Sequence, residues 1–182
     1  MNLSSEVGSY TISNSDRTSK ERKDMDKTTG LNVRDGKEFD CCESTLMIVN
    51  DKHPLPGFES NIMRAASLTG AGVGCSGSAC GAVVGIATAL GLVYGTDGEE
   101  SPEEFQEKRE HNYELTRTLM REFKETFGSL NCKGLTGLDF LVDEEYEKWP
   151  AVFAERNAKG PVKCDDYIDW AAKRVLETLG EG

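Results

Sequence analysis

The fold is decided by one apolar stretch, Cys80-Gly81-Ala82-Val83-Val84-Gly85-Ile86-Ala87-Thr88-Ala89-Leu90-Gly91-Leu92-Val93-Tyr94-Gly95. Its central part, Ala82 to Tyr94, predicts a buried helix that the last glycine ends. Gly81, Gly85 and Ala89 recur every four residues, so their small side chains share one face of that helix. Such a face allows a close approach by a cofactor, by another segment of the chain or by a second copy in a homodimer.

Helix signals continue on the N-terminal side of this stretch. Asp40 is a good cap for a short helix, which the Pro54-Leu55-Pro56-Gly57 turn ends. A second helix begins near Phe58 and ends at Gly70. Between it and the apolar stretch, residues 70–77 form a glycine-rich loop.

Helix signals also follow the stretch. Ser101-Pro102-Glu103-Glu104 combines a hydroxyl cap, a proline in the first turn and a glutamate three residues after the cap, so a long helix begins there and ends at Gly128. A short segment with Cys132 follows, then a predicted helix over 143–157 and a last one starting at Asp165 or Asp166. No segment alternates as a strand does. We therefore predict an all-α fold, a compact helical bundle of about six helices.

The N-terminal region differs in composition from the rest. Residues 1–36 are polar, with charges of both signs intermixed and almost no large apolar side chains. Such a segment cannot bury enough apolar area to offset the entropy of ordering it. We therefore predict two parts, a disordered arm over 1–36 and a helical domain over 37–182 that carries all six cysteines.

The overall charge limits the choice of partners and location. The 182-residue chain carries a formal net charge of −11. No Lys/Arg cluster is present to displace phosphate counterions, so nucleic acid is not an expected partner. The start of the chain lacks the features of a secretory signal, and the longest apolar stretch is shorter than the roughly 20 residues of a membrane span. We expect a cytoplasmic protein that does not span a membrane.

Six cysteines are the chemically informative residues. In a cytoplasmic chain they favour metal binding or redox work over structural disulfides. Three of them lie at predicted helix starts, where backbone N–H groups and the helix dipole favour thiolates: Cys42, Cys80 and Cys164. Cys41 and Cys42 cannot point the same way on a helix, and Cys42 is preferred for the site. Cys132 completes the set, while the roles of Cys41 and Cys75 stay open.

The cysteine pattern resembles a known family. The segment Gly77-Ser78-Ala79-Cys80-Gly81-Ala82-Val83-Val84-Gly85 with the ending Leu90-Gly91-Leu92-Val93-Tyr94-Gly95 is similar to the redox-active proteins named for a C-GCAxxG-C-C motif. An early Cys41-Cys42-Glu43, a Phe127-Gly128 followed by Cys132, and Cys164 before the last helix match its other landmarks. The likeness covers about residues 38–180. The long arm and the extra Cys41 and Cys75 depart from the pattern.

The resemblance implies a bacterial or archaeal, helical protein that works in redox chemistry, typically of anaerobes. A related domain accompanies haem in split-Soret cytochromes, where an iron–sulfur cluster has been proposed. By this likeness Cys42, Cys80, Cys132 and Cys164 would be the ligands of a [4Fe–4S] or [2Fe–2S] cluster, and Gly77, Gly81 and Gly85 would give it room. The chain has no C-x-x-C-H motif for a covalent haem. The resemblance does not identify the electron donor or acceptor, which would be a redox partner protein or a membrane-transport or oxidoreductase system.

Three other functions fit the sequence. Cys80 could attack a disulfide as a thiolate, with Cys42, Cys75 or Cys132 resolving it, without any metal. The cysteines could instead hold zinc in an interaction module. Finally, Gly72-Val73-Gly74-Cys75-Ser76-Gly77 fits the G-x-G-x-x-G pattern of dinucleotide sites, which requires a strand just before it. Whether the protein is itself an oxidoreductase or an electron-transfer accessory stays open.

Overall fold

A computed structural model describes residues 33–149, 151 and 163–180. Two short strands, β1 (Val33–Arg34) and β2 (Lys37–Glu38), pair antiparallel around a turn at Asp35-Gly36. This hairpin starts inside the stretch predicted to be an arm, and no strand was predicted there. Residues 1–32, the rest of that predicted arm, lie outside the described residues.

Seven helices follow in the described part of the chain, which confirms the predicted all-α class. They are α1 (Cys41–Lys52), α2 (Ser60–Ala66), α3 (Gly81–Tyr94), α4 (Pro102–Phe127), α5 (Cys132–Thr136), α6 (Asp143–Tyr146) and α7 (Lys163–Thr178). The helix predicted over 143–157 is described only at its start, where α6 ends at Tyr146. The last helix begins at Lys163, ahead of the predicted Asp165 or Asp166, so Cys164 lies in its first turn.

The start of α1 is set by a side-chain cap. Asp40 Oδ1 accepts hydrogen bonds from the N–H groups of Cys42 at 2.8 Å and Glu43 at 3.0 Å. Glu43 Oε2 in turn accepts from the Asp40 N–H at 2.9 Å, which completes a capping box. The second oxygen of Asp40 accepts from the Gly70 N–H at 3.0 Å. One carboxylate therefore fixes both the first turn of α1 and the entrance to the glycine-rich loop.

Helices α1, α3 and α7 form the centre of the core. Their fully buried side chains include Leu46, Ile86 and Ile168. Burial of each such side chain contributes about 1.5–3 kcal/mol to folding. The long helix α4 packs on this centre through Leu119 and Phe123, and Phe123 belongs to an aromatic cluster with centroid distances of 4.8–6.0 Å that includes Phe127, Tyr167 and Trp170. Arg174 of α7 donates to Glu122 of α4 at 2.7 and 3.0 Å.

No helix of the described ranges has the length and apolar character that a membrane crossing would need.

Candidate functional site

The glycine-rich loop between α2 and α3 has an unusual backbone. Five consecutive residues have positive φ angles, from +49° at Ala71 through Gly72, Val73 and Gly74 to +59° at Cys75. Non-glycine residues rarely adopt this conformation, at a cost of roughly 1–2 kcal/mol each. Backbone hydrogen bonds close the turn, for example from the Gly74 N–H to the Leu68 carbonyl at 2.8 Å. The surrounding structure therefore holds this loop in a strained shape that carries Cys75.

The end of this loop pairs with the segment before α5. Ala79 and Asn131 form an antiparallel bridge, with the Cys80 N–H donating to the Leu130 carbonyl at 2.9 Å and the Cys132 N–H to the Ser78 carbonyl at 2.7 Å. Cys80 and Cys132 each follow a bridged residue, so both project on the same side of the contact. A backbone contact between distant segments thus brings two of the predicted cysteines together.

Cys41 and Cys164 contribute two more sulfur atoms to the same place. The Cys41 thiol is hydrogen-bonded to Cys164 and lies within electrostatic range of Cys80 and Cys132. Cys41 opens α1, and Cys164 lies in the first turn of α7, so each is fixed by a helix start. Four segments far apart in sequence therefore supply the four members of what we term the sulfur cluster, Cys41, Cys80, Cys132 and Cys164.

The side chains of the adjacent residues Cys41 and Cys42 point in different directions. Cys42 is fully buried, and its thiol is hydrogen-bonded to the Thr69 side chain beside Asp40 and Glu43. Cys80 of the sulfur cluster adds to the rise in its pKa, which burial dominates. The structure therefore brings Cys41 rather than the preferred Cys42 into contact with Cys164. The sequence argument that the two side chains point in different directions could not tell which of them faces α7.

Cys75 lies at the margin of the sulfur cluster. Its residue is half-buried, and it is close enough to Cys132 to raise the pKa of that thiol. The loop that carries it is tied to α5, because the Lys133 N–H donates to the Gly77 carbonyl at 2.9 Å. A fifth sulfur is therefore available next to the four, on the strained loop.

The thiols of the cluster hold their protons tightly. Burial raises the pKa of Cys80 to about 11 and that of Cys132 to about 12, with the neighbouring cysteines adding to the rise at both. Contact with Cys164, then burial, raises the pKa of Cys41 as well. The expectation that helix starts favour thiolates is therefore only partly met. The N–H groups of Ala82 and Val83 do act on the Cys80 sulfur to lower its pKa, but desolvation outweighs them.

The three glycines predicted to give a cofactor room are in contact with protein. A Cβ at Gly81 would lie 2.9 Å from the Cβ of Cys41, and one at Gly85 would lie 2.7 Å from the Cβ of Thr45. The small face of α3 is therefore the surface on which α1 crosses it. Gly77 lies against Lys133, 3.2 Å from its Cβ. Gly81 acts on the sulfur cluster indirectly, because its missing side chain lets Cys41 approach Cys80.

Two alternative sites can be compared with the structure. The residues before Gly72 form α2 and a hydrogen-bonded turn rather than a strand, so the dinucleotide interpretation of the G-x-G-x-x-G pattern is wrong.

Within 33–149, 151 and 163–180, no group of three or more His, Cys, Asp or Glu side chains is arranged to hold a metal ion as it stands. The donor chemistry of the sulfur cluster, three buried cysteines and the half-buried Cys41, is nevertheless that of iron–sulfur ligation.

The fold and the site define a helical domain that gathers cysteines from four segments, and comparison with known proteins gives its family. Residues 39–178 match the model of the family described as "Putative redox-active protein (C_GCAxxG_C_C)". The match spans well over half of the chain, and the protein therefore belongs to this family, as its sequence resemblance predicted. Neither the curated proteins nor the solved structures contain a match to it.

Proposed function

We propose that the protein is an electron-transfer protein that binds an iron–sulfur cluster through Cys41, Cys80, Cys132 and Cys164. The single observation that carries the proposal is the gathering of four cysteine side chains from four segments at the starts of α1, α3, α5 and α7. A disulfide requires only two thiols, whereas [2Fe–2S] and [4Fe–4S] clusters take four. When bound, the cluster would supply the one-electron chemistry.

The raised thiol pKa values support metal binding in electrostatic terms. Four thiolates in one buried place would repel each other and lose hydration, so without metal they stay protonated. Iron would replace the protons and compensate the negative charge, and its binding would release protons. The N–H groups of Ala82 and Val83 would stabilise the Cys80 sulfur in the bound form and influence the reduction potential.

The test is anaerobic purification followed by measurement of visible absorption, iron and acid-labile sulfide. We expect a brown protein with iron and sulfide in equal amounts, whose absorption bleaches with dithionite and returns on oxidation. A colourless protein that takes up neither iron nor sulfide under reconstitution would overturn the proposal. Zinc at one equivalent without any redox response would favour the interaction module instead.

A second function is favoured by one specific contact. The Cys41 thiol is hydrogen-bonded to Cys164, so a two-electron oxidation could join these sulfurs in a disulfide between α1 and α7. With a disulfide oxidant such as oxidised glutathione, two thiols lose their protons, one S–S bond forms, and the oxidant leaves as two reduced thiols. The redox-active pair proposed here is Cys41 and Cys164, whereas the sequence analysis gave Cys80 as the attacking thiol.

Peptide mapping of metal-free protein after treatment with oxidised glutathione tests this pair. We expect one linkage, between the peptides of Cys41 and Cys164, and reversal by dithiothreitol. Cys42→Ser is the matched control and should leave the linkage unchanged. Mixed glutathione adducts without this internal linkage would exclude the second function.

A further inference from the structure

A groove separates α3 from α4 on the side of α3 away from the small-residue face. Its cavity volume is about 380 Å³. Ala87, Leu90 and Gly91 of α3 form its floor, while Phe105, Leu115 and Thr116 of α4 line the opposite wall. The volume falls within the roughly 300–1,000 Å³ that small-molecule sites occupy. The lining is therefore suited to an apolar ring system of modest size.

One charged side chain, the exposed Arg109, lines this groove. Arg109 lies with its guanidinium carbon 5.2 Å from the Phe105 ring centroid and 5.4 Å from that of Tyr113. It also donates a hydrogen bond to the Tyr113 hydroxyl at 2.9 Å. Of the described residues that line the groove, Arg109 alone carries a charge. In a chain of net charge −11, a cation held between two rings at an apolar groove would select for anions.

Two neighbouring features on α3 affect how a ligand could bind in the groove. Gly91 has no atom within 4 Å of the position a Cβ would take, so free space remains above the floor. At the C-terminal end of α3, the Asn112 amide donates to the Tyr94 carbonyl. That hydrogen bond satisfies one carbonyl of the last turn of α3, where the helix dipole is negative.

We infer that this groove binds a planar aromatic anion, whose rings lie between α3 and α4 and whose anionic group pairs with Arg109. The aromatic and aliphatic walls would exclude water from the rings, and the guanidinium fork would recognise a carboxylate or sulfonate by charge-assisted hydrogen bonds. The inference does not depend on the sulfur cluster, because no cysteine lines the groove.

The test uses 8-anilinonaphthalene-1-sulfonate as the aromatic anion and N-phenyl-1-naphthylamine as the matched ligand without the anionic group. Fluorescence titration of the full chain should show saturable one-to-one binding of the sulfonate, with the neutral ligand about tenfold weaker. Arg109→Gln should weaken the sulfonate about tenfold and leave the neutral ligand unchanged. Gly91→Leu should abolish binding of both, since its side chain would fill the open space.

Arg117→Gln is the control, because Arg117 lies on α4 outside the groove, paired with Glu114 at 2.8 Å. It should bind the sulfonate like the wild type. Circular dichroism melts of all variants check that they are folded, and α3 should tolerate leucine at position 91 because leucine is a better helix former than glycine. Unsaturable sulfonate binding, or equal affinity in wild type, Arg109→Gln and Gly91→Leu, would overturn the inference.

Discussion

At the scale of single residues, two half-buried carboxylates contribute to the stability of the fold in opposite directions. Asp40 satisfies three backbone N–H groups from two segments, those of Cys42, Glu43 and Gly70. Asp169 is the opposite case, because its Oδ1 is buried without a hydrogen bond within the described part of the chain. One carboxylate therefore stabilises the fold, while the other is held at a cost.

The ionised form of Asp169 should destabilise the protein at neutral pH. Burial, followed by the charges of Asp165 and Asp166, raises its pKa to about 6, above the ordinary aspartate value of 3.8. The native state thus holds this proton more tightly than the unfolded state, so this group's contribution to stability rises as the pH falls from about 7 to about 4. Asp169→Asn should raise the unfolding free energy at pH 7 by about 1 kcal/mol, after allowance for partial exposure.

Urea unfolding at pH 7 and pH 4 measures this effect, and the gain should vanish at the lower pH. Asp166→Asn, an exposed neighbour on the same helix, should change stability by less than about 0.5 kcal/mol. An equal gain at both pH values would show that the charge of Asp169 is not the cause.

The thiols predict a second pH effect in the metal-free protein. The folded pKa of Cys80 lies at about 11 and that of Cys132 at about 12, against an ordinary value of 9.0 for a cysteine thiol. The native state therefore keeps protons that the unfolded state loses. Stability should therefore be unaffected below pH about 8 and should fall as the pH rises from about 9 towards 11. The urea midpoint of Cys80→Ser should fall less over this range, and an identical decline in both proteins would contradict the assignment.

At the scale of helices, close crossing of α1 and α3 positions Cys41. The sequence predicted the small-residue face of α3 but left its partner undecided among a cofactor, an intramolecular crossing and a second chain. The distances to Cys41 and Thr45 show the intramolecular crossing in this structure. The periodicity of the glycines could define the face, whereas its partner depends on contacts between segments distant in sequence.

Alanine at two positions of α3 should therefore have opposite effects. Gly85→Ala places a methyl 2.7 Å from the Thr45 Cβ and should destabilise the protein by about 1–3 kcal/mol. Gly91→Ala, on the same helix with free space around it, should stabilise by about 0.5–1 kcal/mol because alanine is the better helix former. Thermal melts compare the two variants, and a similar effect at both positions would rule out the close crossing.

The glycine-rich loop gives a further prediction. Val73 is exposed at a φ of +60°, a conformation that favours glycine. Val73→Gly should stabilise the protein by about 1 kcal/mol through relief of strain, less the added entropy of the unfolded chain. Gly72→Ala should destabilise, since its Cβ would lie 2.5 Å from the Ser78 nitrogen. Denaturant unfolding measures both effects. A lower unfolding free energy for Val73→Gly than for the wild type would contradict the claim that the loop is strained.

At the scale of the whole molecule, the fold class and the long helix were predictable because capping residues and apolar periodicity are local signals. The bounds of α4 follow from its Ser101 cap and Gly128 stop. The sequence could predict that cysteines from several segments meet, but it could not predict which of them are in contact. The bridge between Ala79 and Asn131 that brings Cys80 to Cys132 has no alternating sequence signal, and the choice between Cys41 and Cys42 depends on where α7 packs.

The measurement that tests the sulfur cluster most directly is the iron retained by a series of serine variants after anaerobic reconstitution. Cys41→Ser, Cys80→Ser, Cys132→Ser and Cys164→Ser should each lose most of the iron and the visible absorption, while Cys42→Ser, the adjacent matched control, should retain both. Circular dichroism confirms that each variant is folded. If Cys42→Ser lost the iron and Cys41→Ser kept it, the proposed site would be wrong.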